Sequence, residues 1–198
     1  TKIPAGCFQG CSSLQEIKLG SQVTEIGDMA FALCTSLETF TFPETVTAVG
    51  LKLFFGCAKL QEVTLPESLT TLGTQMFFSC PALESITIPA SVEDVGVMAF
   101  SGCTGLKEIV VADGNEYFTV HEGALFDKNL EVLYCYPAAQ TETSYTAPDS
   151  TLVIGPSAFM CAASLTQVTL PEKLRYIGDG AFYGCVGLSS IILPEAVT

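Results

Sequence analysis

Residues 23–43 read VTEIGDMAFALCTSLETFTFP, and the same arrangement of apolar residues returns along the chain at a fixed interval. Its clearest marker is a phenylalanine that recurs every 23 residues within two runs. The members of this column are Phe8, Phe31, Phe54, Phe77, Phe100, Phe159 and Phe182. A fixed period of about 20 to 50 residues is the sequence signature of a solenoid, in which each unit buries its apolar side against its neighbours. We therefore expect function to reside on a repeated surface rather than in a single pocket.

A leucine lies six residues after each phenylalanine, and large apolar residues follow it, as at Leu37, Phe40 and Phe42. The alternation of the last two positions predicts a β-strand with one buried face. A proline usually comes next, as at Pro43, and it ends the strand because proline donates no ladder hydrogen bond. The pattern L-x-x-I-x-L therefore predicts a parallel stack with one strand per unit.

Glycine occupies one position in most units, beginning at Gly27 and ending at Gly178. The first unit has Pro4 in this position, and proline holds φ near about −65°. The glycine column therefore indicates close backbone packing rather than positive φ. After the glycine, the spacing of phenylalanine, cysteine and leucine predicts a short helical or 3₁₀ turn on the back of each coil.

The complete unit, x-x-I-G-x-x-A-F-x-x-C-x-x-L-x-x-I-x-I-P, resembles the BspA-like (Treponema pallidum-type) leucine-rich repeat family. Seven copies carry the resemblance over nearly the whole chain. The resemblance implies an α/β-type repeat solenoid over residues 1–198, a right-handed leucine-rich-repeat coil with a concave parallel β-sheet. It also implies a bacterial cell-surface or secreted protein, often an adhesin.

The repeat begins and ends inside a unit, because Thr1–Phe8 aligns with Thr24–Phe31. Solenoids need polar caps at their ends, and the sequence contains no recognisable cap. We therefore expect the chain to be a fragment of a longer array. Bare ends of this kind would allow end-to-end self-association.

The composition is that of a folded acidic protein. Of 198 residues, 48% are apolar and 15% are charged, and the net charge is −13. Such a surface disfavours nucleic acid and anionic membranes, and it either attracts cations or simply maintains solubility. No apolar run is long enough to span a membrane, and no signal peptide opens the sequence.

The repeat fails once, because Phe100 and Phe159 are 59 residues apart instead of 46. One unit, within residues 112–154, is therefore enlarged by 13 residues. Asp127-Lys128-Asn129 lies between two apolar stretches and predicts a β-hairpin. The unit contains four of the six tyrosines, which either pack the hairpin onto the coils or form an exposed binding patch. They are Tyr117, Tyr134, Tyr136 and Tyr145.

The nine cysteines are interpreted as structural. A column of identical residues one coil apart predicts a buried thiol ladder, in which competition between neighbours disfavours a defined disulfide. We assign to it Cys11, Cys34, Cys57, Cys80, Cys103, Cys161 and Cys185. Cys7 takes a small-residue position and is also expected in the core, while Cys135 lies in the enlarged unit and is the expected exception.

Sites for metals, cofactors or catalysis are not indicated. Cys7 and Cys11 form the one closely spaced cysteine pair and His121 is the single histidine, whereas a zinc site needs four ligands. The turn at residues 113–116 lacks the spaced acids of a calcium loop. No catalytic or phosphate-binding motif is present.

The outward positions of the predicted strands are the remaining candidate site. They form two columns, in which threonine suits an exposed strand position or supplies a flat hydrogen-bonding surface for protein or glycan. The candidate binding residues are Glu16, Lys18, Thr41, Glu62, Thr64, Thr87, Glu108, Val110, Thr169 and Ile192.

These observations predict a non-enzymatic, adhesin-like binding module located outside the cell or at its surface. Its expected partner is a host or neighbouring-cell protein, or a glycan. The alternatives are a structural stalk in a larger surface protein and an accessory arm of a larger secreted enzyme.

Overall fold

The computed structural model describes residues 1–197; Thr198, the last residue of the predicted array, lies outside the described residues. Within this range the chain forms sixteen short strands joined by turns. The strands are β1 (Lys2–Ile3), β2 (Glu25–Ile26), β3 (Thr39–Thr41), β4 (Ala48–Val49), β5 (Glu62–Thr64), β6 (Thr71–Leu72), β7 (Ser85–Ile88), β8 (Asp94–Val95), β9 (Glu108–Val111), β10 (Phe118–His121), β11 (Ala124–Asp127), β12 (Val132–Cys135), β13 (Ser144–Thr146), β14 (Val153–Ile154), β15 (Gln167–Thr169) and β16 (Tyr176–Ile177).

Successive coils stack in parallel, as the repeat predicted. In the strands of the L-x-x-I-x-L pattern, β3 pairs with β5, β7 with β9, and β13 with β15. A second set of two-residue strands, which the sequence did not predict, forms another parallel ladder in which β1, β2 and β4 are neighbours. Each regular coil therefore contributes two strands to a β-solenoid.

The phenylalanine column forms the core, as predicted. Phe31, Phe54, Phe77 and Phe159 are fully buried. The rings of Phe54 and Phe77 are stacked with centroids 5.6 Å apart. Burial of one such side chain contributes about 1.5–3 kcal/mol, so this column is a large part of the stability of each coil.

The predicted helical or 3₁₀ turns are wrong, since residues 1–197 contain no helix. In the turn that contains Phe31, Met29 and Leu33 have positive φ angles of 54° and 61°, which a right-handed helix does not allow. Alternate backbone donors are used between coils: the Phe31 N–H donates to the Leu53 carbonyl at 3.1 Å, and the Leu33 N–H donates to the Phe55 carbonyl at 2.7 Å. The Ala32 and Cys34 N–H groups instead donate to carbonyls three residues back within the same turn. A helix would need those donors within its own chain segment.

The glycine column reflects close backbone approach, as predicted. A Cβ atom on Gly73 would lie 2.5 Å from the Gly50 carbonyl oxygen, and one on Gly27 would lie 2.6 Å from the Ala5 nitrogen. Neither glycine has positive φ. Any side chain here would push two coils apart.

The buried thiol ladder is confirmed for Cys34, Cys57, Cys80 and Cys103, which are free and fully buried. Each thiol donates to the carbonyl of the phenylalanine in the preceding coil, as Cys57 Sγ does to Phe31 at 3.2 Å. Burial, followed by the neighbouring Cys34, raises the pKa of Cys57 to about 12. The four thiols are therefore protonated, and their hydrogen bonds connect each coil to the preceding one.

Four cysteine assignments need correction. Cys7 and Cys11 are exposed rather than buried, and Cys185 is only half-buried, although its thiol donates to the Phe159 carbonyl at 3.0 Å. Cys161 lies two residues after Phe159 rather than three, so it takes the positive-φ position of Leu33, and Ala162 fills the ladder position. Cys161 is accordingly only half-buried.

The enlarged unit contains the predicted hairpin, because β11 and β12 are antiparallel and joined through Asp127-Lys128-Asn129. A second antiparallel pair, β10 with β11, turns at Glu122 and Gly123, both of which have positive φ. β12 then pairs in parallel with β14 and rejoins the solenoid. The extra residues are thus concentrated before residue 133.

Candidate binding surface

The outward columns predicted from the sequence are exposed along neighbouring coils, although Glu16, Lys18 and Ile192 lie outside the strands. Every one of the ten candidate residues, from Glu16 to Ile192, is exposed. Strand pairing places Thr41 directly beside Thr64 and Thr87 directly beside Val110. The structure adds Ser144 and Thr146, which stand beside Gln167 and Thr169. We call this set of outward strand residues the ladder face.

The enlarged unit interrupts the ladder face. Within residues 1–197, β9 pairs with β7 and β13 pairs with β15; no strand pairing joins β9 to β13, and none joins β5 to β7. A cavity of about 580 Å³ lies beside β9, lined on its other side by the segment that precedes β13. Its lining includes Lys107, Glu108, Val120, Gly123, Gln140 and Glu142. We call this cavity the ladder cleft.

The ladder cleft is acidic. Glu108 and Glu142 line it, and Glu122 precedes the lining residue Gly123 at the hairpin tip. Lys107 also lines the cleft, but its Nζ forms an ion pair with Glu84 at 2.9 Å. Among residues 1–197, Glu108 and Glu142 enter no ion pair. The two lining carboxylates are therefore available to a cationic group.

The predicted four-tyrosine patch does not form. Tyr136 and Tyr145 are only 2% and 3% exposed. Tyr136 takes the phenylalanine position of the repeat and stacks on Phe159, with ring centroids 5.3 Å apart. Tyr134 is half-buried. Only Tyr117, at 45% exposure, is open to a partner.

The buried tyrosines have an unusual polar environment. Neither the Tyr136 nor the Tyr145 hydroxyl has a hydrogen-bond partner within the described residues. Burial, followed by the carboxylates of Glu142 and Glu122, raises the pKa of Tyr136 to about 12. Burial and Glu122 also raise the pKa of Tyr145.

Asn115 fixes the start of the enlarged unit, a role that sequence reasoning missed. Its amide nitrogen donates to the Pro89 and Val92 carbonyls at 2.9 Å, and its Oδ1 accepts from the Tyr117 and Phe118 N–H groups. Asn115 stands 23 residues after Val92, so a buried polar residue in an apolar column was the available signal. Its hydrogen bonds redirect the chain into β10.

The single histidine packs against an aromatic ring. The rings of His121 and Phe126 are 6.3 Å apart and nearly perpendicular. No group of three or more histidine, cysteine or acidic side chains that could hold a metal ion occurs in the described part of the chain. In that same part, no helix has the length and apolar character that crossing a membrane requires.

Known proteins share this architecture. A leucine-rich cell-surface protein from Faecalibacterium prausnitzii is 31% identical, with a TM-score of 0.85, and the alignment covers 100% of this chain and 58% of that one. The pneumococcal vaccine antigen PcpA is 31% identical with a TM-score of 0.90, over 99% of this chain and 49% of the antigen. A leucine-rich repeat protein from Eubacterium ventriosum is 30% identical with a TM-score of 0.92, over 100% and 52%.

This chain therefore spans only about half the length of those structures. No curated protein matches its sequence significantly. The family model for the BspA type leucine rich repeat region matches residues 1–130 and 134–198 in 6 copies. The chain belongs to the BspA-type leucine-rich repeat family.

Proposed function

We propose that this chain is a non-enzymatic binding module that engages a protein or glycan outside the bacterial cell through its ladder face. The observation that carries the proposal is the ordered exposure of the outward columns on a hydrogen-bonded scaffold, as with Thr41 beside Thr64. A rigid scaffold lowers the entropy lost when a partner binds.

The relatives support this location. One is described as a bacterial cell-surface protein and another as a vaccine antigen. Repeat proteins of this kind present extended surfaces to their partners. The acidic charge of −13 favours a partner with a basic surface.

The test is a binding screen with the immobilised chain against extracellular-matrix proteins and glycans. A double variant, Thr64→Arg with Thr87→Arg, places two bulky cations on the ladder face. The matched control, Thr47→Arg with Thr70→Arg, adds the same charge at exposed positions just before the second ladder. We expect the first pair to weaken binding at least about tenfold, because bulky like charges at an interface are strongly unfavourable.

Two results would refute the proposal. One is the absence of any binding at about 100 μM, which is weaker than typical specific affinities. The other is an equal loss of affinity in the ladder-face and control variants, since the surface would then make no specific contribution.

A further inference from the structure

Apolar side chains are exposed on the turns that contain the phenylalanine column in four successive coils. Three of these side chains, Leu33, Leu51 and Val97, are 43%, 51% and 53% exposed, and three others are half-buried. The whole set, which we call the turn face, consists of Leu33, Leu51, Phe55, Phe78, Val97 and Met98.

The turn face is continuous from one coil to the next. Leu33 extends over Gly56 of the following coil, where a Cβ atom on the glycine would lie 2.8 Å from the Leu33 Cδ2 atom. The rings of Phe55 and Phe78 stack with centroids 5.2 Å apart and planes 4° apart. Contiguous exposed apolar surface of this kind marks interaction sites.

The repeat does not require apolar residues at the most exposed of these positions. Asp28, Thr74 and Asp179 occupy the same column as Leu51 and Val97. A polar residue in this column is therefore compatible with the coil. The apolar side chains of Leu51 and Val97 contribute to the surface rather than to the core.

The turn face also lies where the chain has no carboxylates. None of the 21 acidic residues falls within residues 29–37, 45–61, 68–83 or 95–107, although the net charge is −13. The charged residues in those ranges are lysines, such as Lys52, whose Nζ lies 5.7 Å from the Phe55 ring centroid. Two copies of this chain repel each other wherever their carboxylates meet, so a contact between copies is least opposed at the turn face.

We propose that two copies of this chain dimerise through their turn faces about a two-fold axis, with Phe55 of each protomer beside the partner's Phe78. An isologous contact uses the same surface on both copies and reverses the order of the coils. Phe55 and Phe78 belong to the two central coils of the turn face, so they meet across the axis. Leu33 then lies opposite the coil that carries the partner's Val97.

The dimer goes beyond the proposed function and does not depend on it. It uses no residue of the ladder face, so it would present two ladder faces at once. Two linked binding surfaces raise the overall affinity for a partner that both can reach. The contact itself is small, since four coils about 4.8 Å apart span roughly 15–20 Å, and small interfaces are weak and transient. We expect a dissociation constant between roughly 10 μM and 1 mM.

The experiment is sedimentation velocity on the whole chain at concentrations from about 5 μM to about 1 mM. The expected result is a reversible equilibrium between monomer and dimer without larger species. Leu51→Glu with Val97→Glu should weaken dimerisation at least about tenfold, because four new carboxylates would then meet in one contact. Both side chains are exposed, and circular dichroism checks that the variant is folded.

The matched control is Val186→Glu with Ile192→Glu. These side chains are 85% and 87% exposed in the last coil, outside the turn face, and the change adds the same charge. It should leave the dissociation constant within about twofold. Raising the salt from roughly 0.05 M to roughly 0.5 M should strengthen dimerisation, because it screens the repulsion between two acidic copies and leaves the apolar contact unchanged.

Each contrary result overturns the inference. A monomer at every concentration would refute dimerisation, and growth beyond the dimer would indicate a head-to-tail contact. An equal loss in the control would place the association at the last coil, and weakening by salt would show that ion pairs drive it. If the chain stays monomeric and the pair Leu51→Glu and Val97→Glu weakens binding of a matrix protein instead, the turn face contacts a different protein.

Failure of this inference is distinguishable from failure of the proposed function. If the chain is monomeric but binds a matrix protein in a manner sensitive to Thr64→Arg and Thr87→Arg, the dimer is refuted and the proposed function stands.

Discussion

In the regular coils, Phe77 lies between stacked phenylalanines and is fully buried, whereas the enlarged unit places Tyr136 in the same column with a hydroxyl group that has no hydrogen-bond partner among residues 1–197. Every regular coil buries apolar residues at the same positions of its repeat. The enlarged unit keeps the aromatic stack but adds polar groups, a three-strand meander and a cleft. The regular coils therefore keep an uninterrupted phenylalanine stack, and the enlarged unit introduces tyrosine hydroxyls into it.

The largest effect is expected in the regular coils. Phe77→Ala should lower the free energy of unfolding by about 3–5 kcal/mol, because it removes a fully buried aromatic ring and leaves a cavity. Urea denaturation followed by circular dichroism measures the loss. Phe78→Ala is the control: this half-buried ring stacks on Phe55 and should contribute less than about 2 kcal/mol. A Phe77→Ala loss below about 1 kcal/mol would mean that the column is not core.

The next largest loss of stability is expected at Asn115, where the enlarged unit begins. Asn115→Ala should cost about 2–4 kcal/mol, since it leaves buried backbone groups without the hydrogen bonds of the amide. Asn129→Ala, at an exposed turn position, should change stability by less than about 0.5 kcal/mol. Equal values for both variants would remove the assigned role of Asn115.

A smaller effect tests the contact between regular coils. Gly73→Ala should cost about 1–3 kcal/mol, because the new methyl group would meet the Gly50 carbonyl. Gly20 has open space and no positive φ, so Gly20→Ala should be neutral or stabilise by up to about 1 kcal/mol. Thermal unfolding compares the two variants, and a stabilising Gly73→Ala would contradict the close approach.

The smallest effect has the opposite sign. Tyr136→Phe restores the repeat residue and should stabilise by about 1 kcal/mol, since it removes a buried hydroxyl without a partner. Tyr117→Phe, at an exposed position, is the control and should be neutral. If Tyr136→Phe destabilises instead, then the hydroxyl has a partner in solution.

The stabilisation expected from Tyr136→Phe should depend on pH. The pKa of Tyr136 is raised from 10.0 to about 12 in the folded chain, so the unfolded chain releases this proton first as the pH rises. The stability that the folded chain gains by keeping the Tyr136 hydroxyl protonated is complete below pH 10 and is lost between pH 10 and about 12. The advantage of the phenylalanine variant should therefore grow across that window, as denaturation at several pH values would measure.

Much of the fold was predictable from the repeat itself. The columns of Phe77, Leu83 and Ile86 predicted a buried stack because their spacing is periodic, and Asp127-Lys128-Asn129 predicted the hairpin through turn chemistry. The glycine column was interpreted correctly because Pro4 excluded positive φ.

Other features depended on contacts between coils, which propensity does not encode. Met29 and Leu33 adopt positive φ, which neither residue type favours alone, because the next coil accepts the hydrogen bonds of this turn. The ladder cleft was not predictable, because it depends on where β9 and the hairpin tip come to lie. Two assignments could have been made correctly by counting along the sequence. Tyr136 lies 23 residues before Phe159 and therefore takes the buried phenylalanine position. Cys161 lies only two residues after Phe159 and therefore falls outside the cysteine column.

The hydrogen bonds between coils also determine how this protein should respond to a pulling force. Parallel ladders and turn donors such as Phe31 connect each coil to the next along the stacking direction. Force applied along that direction is shared by all bonds at one junction, while successive junctions experience the same tension. Among the described residues, no strand pairing joins β5 to β7 or β9 to β13. Extension should then begin at junctions of this kind, and the junctions that carry a complete strand pairing should open later.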